Sequence, residues 1–197
     1  MKHIGLLGGS FDPPHKGHLY ISVEAKKILS LDQVWWLVTP HNPLKIKKPA
    51  SYDERIKNCN KIVKNHPLKI KEIEKKINSK YSYYTIKYLL KHYPNIKFYW
   101  LMGADNLINF HKWQNWRDIF NEISVVVFRR HGYNSPALKS ITRKTFDNYE
   151  IFSNQINQVH FSTTPSWTFI KNKEIKISST DIRNQRKMLR GNYYFYK

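Results

Sequence analysis

Cysteine is almost missing: Cys59 is the only one in 197 residues, which excludes an internal disulfide and fits a reducing compartment. It sits in a lysine-rich helical pattern, where packing or plain surface is expected rather than reactivity. No apolar run approaches the roughly 18 residues of a membrane-spanning helix. The first residues lack the pattern of a secretory leader, because His3 and the glycines interrupt it, so a cytoplasmic protein is expected. No serine or cysteine stands in a recognisable nucleophile–base–orienter set. Acidic side chains are scarce, 14 against 34 lysines and arginines, for a formal charge of +20. Such a surface attracts polyanions. Here, though, the lysines are spread over nearly every segment among isoleucine, asparagine and tyrosine. The charge is a chain-wide bias, favouring anionic substrates without marking a nucleic-acid stripe.

What the chain does have is a core. Hydrophobic residues make up 41% and aromatics 15%, enough for one globular domain of 23.7 kDa spanning 1–197. The most informative stretch is His-Ile-Gly-Leu-Leu-Gly-Gly-Ser-Phe-Asp-Pro-Pro-His-Lys-Gly-His, residues 3–18. Ile4 to Leu7 reads as a buried strand closed by a tight turn at Gly8-Gly9, followed by Ser10 and Phe11. A helical pattern begins near Gly17 and runs to Leu31. A strand, a glycine turn and a helix N-terminus aim free N–H groups and a positive dipole end at one spot. Gly9 and Gly17 leave room for an anion, and His15 and His18 flank the helix start. The spot looks built for phosphate. It is neither a Walker loop nor a dinucleotide fingerprint, since no Gly-Lys-Ser/Thr and no Gly-x-Gly-x-x-Gly is present. The two histidines also suit plain capping, and a metal site would need a third ligand that the spacing does not offer.

Further along, Gln33–Thr39 reads as a second buried strand running into a proline-punctuated loop, basic from Lys45 to Lys48. Lys45 is either a phosphate contact or a solvated lysine. Ser51 caps a helix with Asp53 and Glu54 in its first turn, stopped by His66-Pro67. Leu68–Ile73 suits a half-exposed strand, Lys75–Lys80 a basic loop, and Tyr84–His92 a helix. Ile96–Met102 is a strand entering Gly103-Ala104-Asp105-Asn106, where Asp105 suits either a helix cap or a ribose contact. Phe110, Trp113, Trp116 and Ile119, three apart, read as one helical stretch and most simply as core. Glu122–Phe128 is the clearest central strand, leading into Arg129–Tyr133. Residues 135–158 are polar and aperiodic, and Ser166–Lys171 is a last short strand. Ser178-x-x-Asp181 fits a capping box. With Ser179, Thr180 and Arg183 it also offers a second phosphate cradle at the start of a small C-terminal helical segment. Strands alternating with helices predict a doubly wound parallel α/β sheet with its ligands at the strand ends.

The string Gly-Gly-Ser-Phe-Asp-Pro-Pro-His-Lys-Gly-His-Leu resembles the His-x-Gly-His signature of the nucleotidyltransferase superfamily, and within it the bacterial nicotinate-nucleotide adenylyltransferases. Trp-Trp-Leu-Val-Thr-Pro-x-Asn-Pro-Leu-Lys, Met-Gly-Ala-Asp-Asn-Leu-x-x-Phe-His-x-Trp and Ile-Ser-Ser-Thr-x-Ile-Arg are similar to three later blocks of the family. The likeness runs in blocks from Lys2 to Arg183, and is weak between Ser135 and Gln158. It implies a Rossmann-like fold and adenylyl transfer from ATP, with Mg2+, to nicotinate mononucleotide. It further implies that His15, His18 and Arg183 act on the phosphates. ATP would lie against Gly8, Gly9, Ser10, Phe11, Gly17, Lys45, Gly103, Asp105, Ser178, Ser179 and Thr180. Trp113 would stack on the pyridine, while N–H groups near Tyr84 and Thr85 would hold its carboxylate. Trp116 is left to packing. Two departures stand out. His131 replaces the family's usual proline, implying a looser loop, and Lys87 replaces a frequent acidic residue, a change that would favour an acid over an amide substrate. Nicotinamide mononucleotide and phosphopantetheine are the alternative acceptors. From a different class, the +20 charge leaves a non-catalytic nucleic-acid-binding protein as a second alternative. With the phosphate motifs intact, nucleic acid is not the expected partner, nor is a membrane, and a homo-oligomer stays open.

Overall fold

Six short runs of β-formers, each followed by helical or looped chain, assemble as a single parallel sheet. The computed structural model describes residues 1–45, 48–152, 156 and 163–192. Its elements are β1 (Lys2–Gly9), α1 (Lys16–Ile28), β2 (Gln33–Val38), α2 (Tyr52–Val63), β3 (Leu68–Lys71), α3 (Ile73–Lys76) and α4 (Ser82–His92). Then come β4 (Ile96–Gly103), α5 (Ala104–Asn109), α6 (Trp116–Glu122), β5 (Ser124–Phe128), α7 (Asn134–Leu138), α8 (Ile141–Thr145), β6 (Trp167–Ile170) and α9 (Ser179–Asn192). The strand order is β3-β2-β1-β4-β5-β6, so the order reverses between β1 and β4. That switch point is where an open α/β sheet forms its ligand crevice. Register sets the strand ends flush: Gly9 pairs with Val38, Leu7 with Leu101, and Gly103 with Phe128.

Both sheet faces are covered, as a parallel sheet requires. Alternate residues go to opposite cores: Trp35, Leu37, Val125 and Val127 to one, Val34, Trp36, Val38, Val126 and Phe128 to the other. The expected doubly wound α/β architecture is therefore present, as is the small C-terminal helix.

Several local expectations change. Gly8 and Gly9 remain inside extended β1, and the left-handed residue that turns the chain is Phe11, at φ 47°. A Cβ at Gly8 would stand 2.7 Å from the Trp100 ring, so this glycine makes room for packing rather than for an anion. The strand expected to reach Ile73 ends at Lys71, and a helical turn takes Ile73 and the first two residues of the expected Lys75–Lys80 loop, because Ile73 and Glu74 are buried and pin α3 down. The aromatic run is not one helix. A 3-10 turn at Phe110–Lys112 gives way to extended Trp113, and Asn115 at φ 53° resets the chain before α6. Glu122 ends α6 instead of opening β5. Where the sequence was silent, α7 and α8 carry Ala137 and Phe146 into the core. There Phe146 stacks on Phe120 at 4.2 Å and its carbonyl accepts from Trp167 Nε1. Ile46 and Lys47 of the basic loop, and 153–155 and 157–158 of the polar stretch, lie outside the described residues.

Candidate active site

Beyond Gly9 the chain turns at Phe11, whose ring stacks on Trp36 with centroids 4.7 Å apart and planes nearly parallel, and lies 4.8 Å from His18. Trp36 Nε1 donates to Ser22 Oγ, and Ser22 donates to the His18 carbonyl. An aromatic bed and one hydroxyl thus fix the first turn of α1. His15 and His18 form a capping box. His15 Nδ1 accepts from the Gly17 N–H (3.1 Å), and His18 Nδ1 accepts from the His15 N–H (3.2 Å). Their rings are 3.8 Å apart. The capping reading of these histidines is correct, and it does not compete with a phosphate role.

With each Nδ1 acting as acceptor, a neutral ring carries its proton on Nε2. Both rings are neutral near pH 7. Burial, then Arg130, pulls the His15 pKa down to about 4, with Asp181 opposing. Burial, then His15, Arg130 and Lys45, holds His18 well below the ordinary value. The pair offers directed Nε2–H dipoles rather than two resident positive charges. A bound polyanion would raise both pKa values. Gly17 seats this arrangement: a Cβ there would lie 2.9 Å from His15 Nδ1 and 3.1 Å from Ile177 Cγ2. Its small size serves the imidazole, and not an anion directly.

A cleft of roughly 340 Å³, mouth included, opens between the ends of β1 and β2 and is lined by Ser10, Asp12, His41, Asn42, Lys45, Pro49 and Arg183. The surrounding protein, then Arg183, lowers the Lys45 pKa, with Asp12 and Asp105 opposing. Two cations crowd one space. The C-terminal motif is sewn onto the N-terminal turn. Ser179 Oγ donates to the Pro13 carbonyl at 2.9 Å, and Arg183 donates to the Asp12 carbonyl and to Thr180 Oγ1. Ser178 Oγ accepts from the Asp181 N–H and bonds its carboxylate, the expected capping box. The two motifs read as candidate phosphate cradles at opposite ends of the chain lie together in one locus.

Asp105 stands at the start of α5, its Oδ2 2.7 Å from Arg130 Nη1 and its Oδ1 buried without a partner. Gly103 leaves room for this carboxylate: a Cβ there would meet Oδ1 at 2.6 Å and push it from its place. Tyr84, Thr85 and Trp113 are not among the cleft-lining residues. Tyr84 is exposed in the first turn of α4, where Tyr81 provides no side-chain cap for the N–H groups of Ser82, Tyr83 and Tyr84. The Thr85 N–H is already bonded to the Tyr81 carbonyl, and its side chain is buried. Half-buried Trp113 stacks on Phe110 at 4.6 Å and meets Trp100 edge-on. Trp116 packs on Phe146, as assigned. Lys87 binds Glu122 at 2.8 Å, so its charge is matched locally. The loop at His131 is fastened through Glu174, which pairs with Arg129 and His131 and accepts from Asn134.

Sequence reasoning passed over Asp12, His41, Asn42 and Arg130. Each stands within a few residues of a strand's carboxyl end, the signal that would have found it. Arg130 hid among lysines and arginines that elsewhere form a solvated background.

Residues 6–185 match the cytidylyltransferase-like family. A Ruegeria sp. (strain TM1040) protein named "Probable nicotinate-nucleotide adenylyltransferase" is 44% identical over 182 residues, covering 92% of this chain and 96% of that one. One of the same name from Agrobacterium fabrum is 37% identical over 185 residues, covering 93% and 99%. The fold is similar to Plasmodium falciparum nicotinic acid mononucleotide adenylyltransferase complexed with NaAD, at TM-score 0.68 and 18% identity, over 93% of this chain and 83% of that one. The same parasite enzyme complexed with APC gives 0.67. The chain belongs to the cytidylyltransferase-like family, and within it to the nicotinate-nucleotide adenylyltransferases.

Proposed function

We propose that the cleft transfers the adenylyl group of ATP to nicotinate mononucleotide, giving nicotinate adenine dinucleotide and pyrophosphate. The observation that carries this reading is the His15–His18 pair beyond the carboxyl end of β1, with Lys45 near enough to act on His18 and itself lining, with Arg183, the cleft beside them. A monophosphate oxygen of the acceptor attacks the α-phosphorus while the bond to the bridging oxygen of the leaving pyrophosphate breaks. That oxygen is already ionised near neutral pH, because a phosphate's second pKa is about 6. No protein base is needed. What remains is holding two anions in line and offsetting charge that builds on the phosphates. His15 and His18 do this through fixed Nε2–H donors, and Lys45 and Arg183 through full charge. Ser179 and Thr180 hold the turn from which Arg183 reaches.

Mg2+ enters with ATP as part of the substrate. Among the described residues no three His, Cys, Asp or Glu side chains cluster as a metal cage, and the carboxylates of Asp12 and Asp105 already face arginines. An ion held by phosphates and water fits that donor set. Asp105, held at the start of α5 by Arg130, is assigned to the ribose. The pyridine lies on Trp113, its carboxylate at the uncapped first turn of α4. The preference for an acid over an amide rests on those N–H groups and not on Lys87, which Glu122 neutralises. The cytoplasm, where ATP is abundant and a lone thiol stays reduced, is the compartment this reading assigns.

ATP labelled in turn at the α- and γ-phosphate tests the chemistry. α-Label must pass to the dinucleotide and γ-label to pyrophosphate. His18→Ala should slow the transfer about a hundredfold or more, the usual cost of one lost transition-state donor. γ-Label appearing on the acceptor would overturn the reaction class.

A further inference from the structure

Arg55 is the most deeply buried cation among the described residues, 1% exposed, yet no carboxylate lies within ion-pair distance of it there. Its guanidinium is satisfied by main-chain carbonyls instead. Nη1 donates to the carbonyls of Ser10 and Thr39, each at 2.7 Å; Nη2 donates to Pro40 at 2.9 Å and Nε to Ala50 at 3.0 Å. The Tyr52 ring lies 5.3 Å beneath. A bare buried charge is costly, and four carbonyl dipoles, helped at longer range by the Asp12 carboxylate, make this one tolerable.

The identity of those carbonyls matters more than their number. Ser10 is in the turn that leads to His15 and itself lines the cleft. Thr39 and Pro40 begin the loop that carries His41, Asn42 and Lys45 into the cleft, and Ala50 ends that loop. The Ala50 N–H in turn donates to Asp12, whose carbonyl receives Arg183. One planar fork therefore joins the β1 turn to both ends of the loop after β2. We propose that Arg55 is a positioning residue for the transfer: it sets the separation between the His15–His18 turn and the Lys45 loop, and thereby the fit of the triphosphate between them. This deepens the adenylyl-transfer reading and rests on it.

Lysine cannot replace this fork, because its three donors radiate from one point while arginine's five lie in a rigid plane. Arg55→Lys keeps the charge and most of the stem, so it serves as the test. Displacing a phosphate-binding loop by one ångström costs about a hundredfold in rate. Three quantities are measured on the full chain: the Kd for an ATP analogue that cannot transfer, kcat and KM for both substrates, and the melting temperature. The expected result is at least a tenfold weaker Kd and a matching rise in KM for ATP. The KM for nicotinate mononucleotide should move less than threefold and the melting temperature by a few degrees. Arg55→Ala with millimolar guanidinium should recover part of the ATP affinity, while sodium chloride at equal strength should not. A folded Arg55→Lys protein with ATP affinity within twofold of wild type overturns the proposal. Equal losses for both substrates, tracking lost stability without guanidinium rescue, also overturn it by leaving only a structural role. If wild type binds the analogue but transfers nothing to any acceptor, the functional reading fails, while the affinity comparison still decides the role of Arg55.

Discussion

The two-histidine cap makes stability at mild acidity depend on residue 15, and by an amount that can be worked out. In the unfolded chain His15 titrates near 6.5, whereas burial and Arg130 bring it to about 4 in the fold. Between these values the unfolded state binds the proton and the folded state does not, so stability is greatest above pH 6.5 and declines as pH falls toward 4. For a single site with these constants the loss at pH 4.5 is about 2 to 3 kcal/mol, or roughly 5–10 °C for a chain of this length. His18 shifts in the same direction. Glu74, its carboxyl pushed up to about 7 by burial, works oppositely. It is common to wild type and variant, so it cancels in their difference. The variant is His15→Asn, which keeps a capping acceptor but cannot titrate. Denaturant unfolding of both proteins at pH 7.5 and 4.5 should show wild type losing about 2 to 3 kcal/mol more than the variant. Identical pH dependence in the two would mean that His15 is not held neutral by the fold, and the Nε2–H tautomer argument would fail with it.

Two further substitutions separate function from stability. In Gly17→Ala the new methyl displaces His15 from its cap, at a cost of about 1 kcal/mol, while helix propensity returns about as much, so the melting temperature should barely move. Turnover should nevertheless fall about a hundredfold, as expected for a misplaced contact; wild-type turnover would refute the seating argument. Trp113→Ala should raise the KM for nicotinate mononucleotide about tenfold, given the usual worth of stacking on an aromatic, with the KM for ATP unchanged. Equal effects on both substrates would return Trp113 to the core alone.

How much of this was legible depended on what each residue's surroundings left visible. The strands were readable because runs such as Val34–Val38 and Val125–Phe128 bury both faces and so are apolar throughout. The candidate phosphate locus stood out because glycines, histidines and a capped turn stand at strand ends, and the structure brings its two halves together. Residues whose roles come from the third dimension were not. Glu74 looks solvated in a charged stretch but is buried, within hydrogen-bond reach of Thr39. The break at Trp113 depends on Asn115 accepting a left-handed backbone, which three-residue aromatic spacing conceals. Phe11 turns the chain although two glycines precede it, because its ring is held against Trp36. Arg55 and Arg130 were lost in a basic background, one clamping carbonyls and the other pairing with Asp105. The small size of Gly8, Gly17 and Gly103 was visible, but what fills the space was not.

The central claim is the acceptor. Pyrophosphate release from MgATP, measured side by side with nicotinate mononucleotide, nicotinamide mononucleotide and phosphopantetheine, tests it most directly. Release is expected with nicotinate mononucleotide at a kcat/KM at least tenfold above either alternative. Equal or faster release with nicotinamide mononucleotide or phosphopantetheine would contradict it.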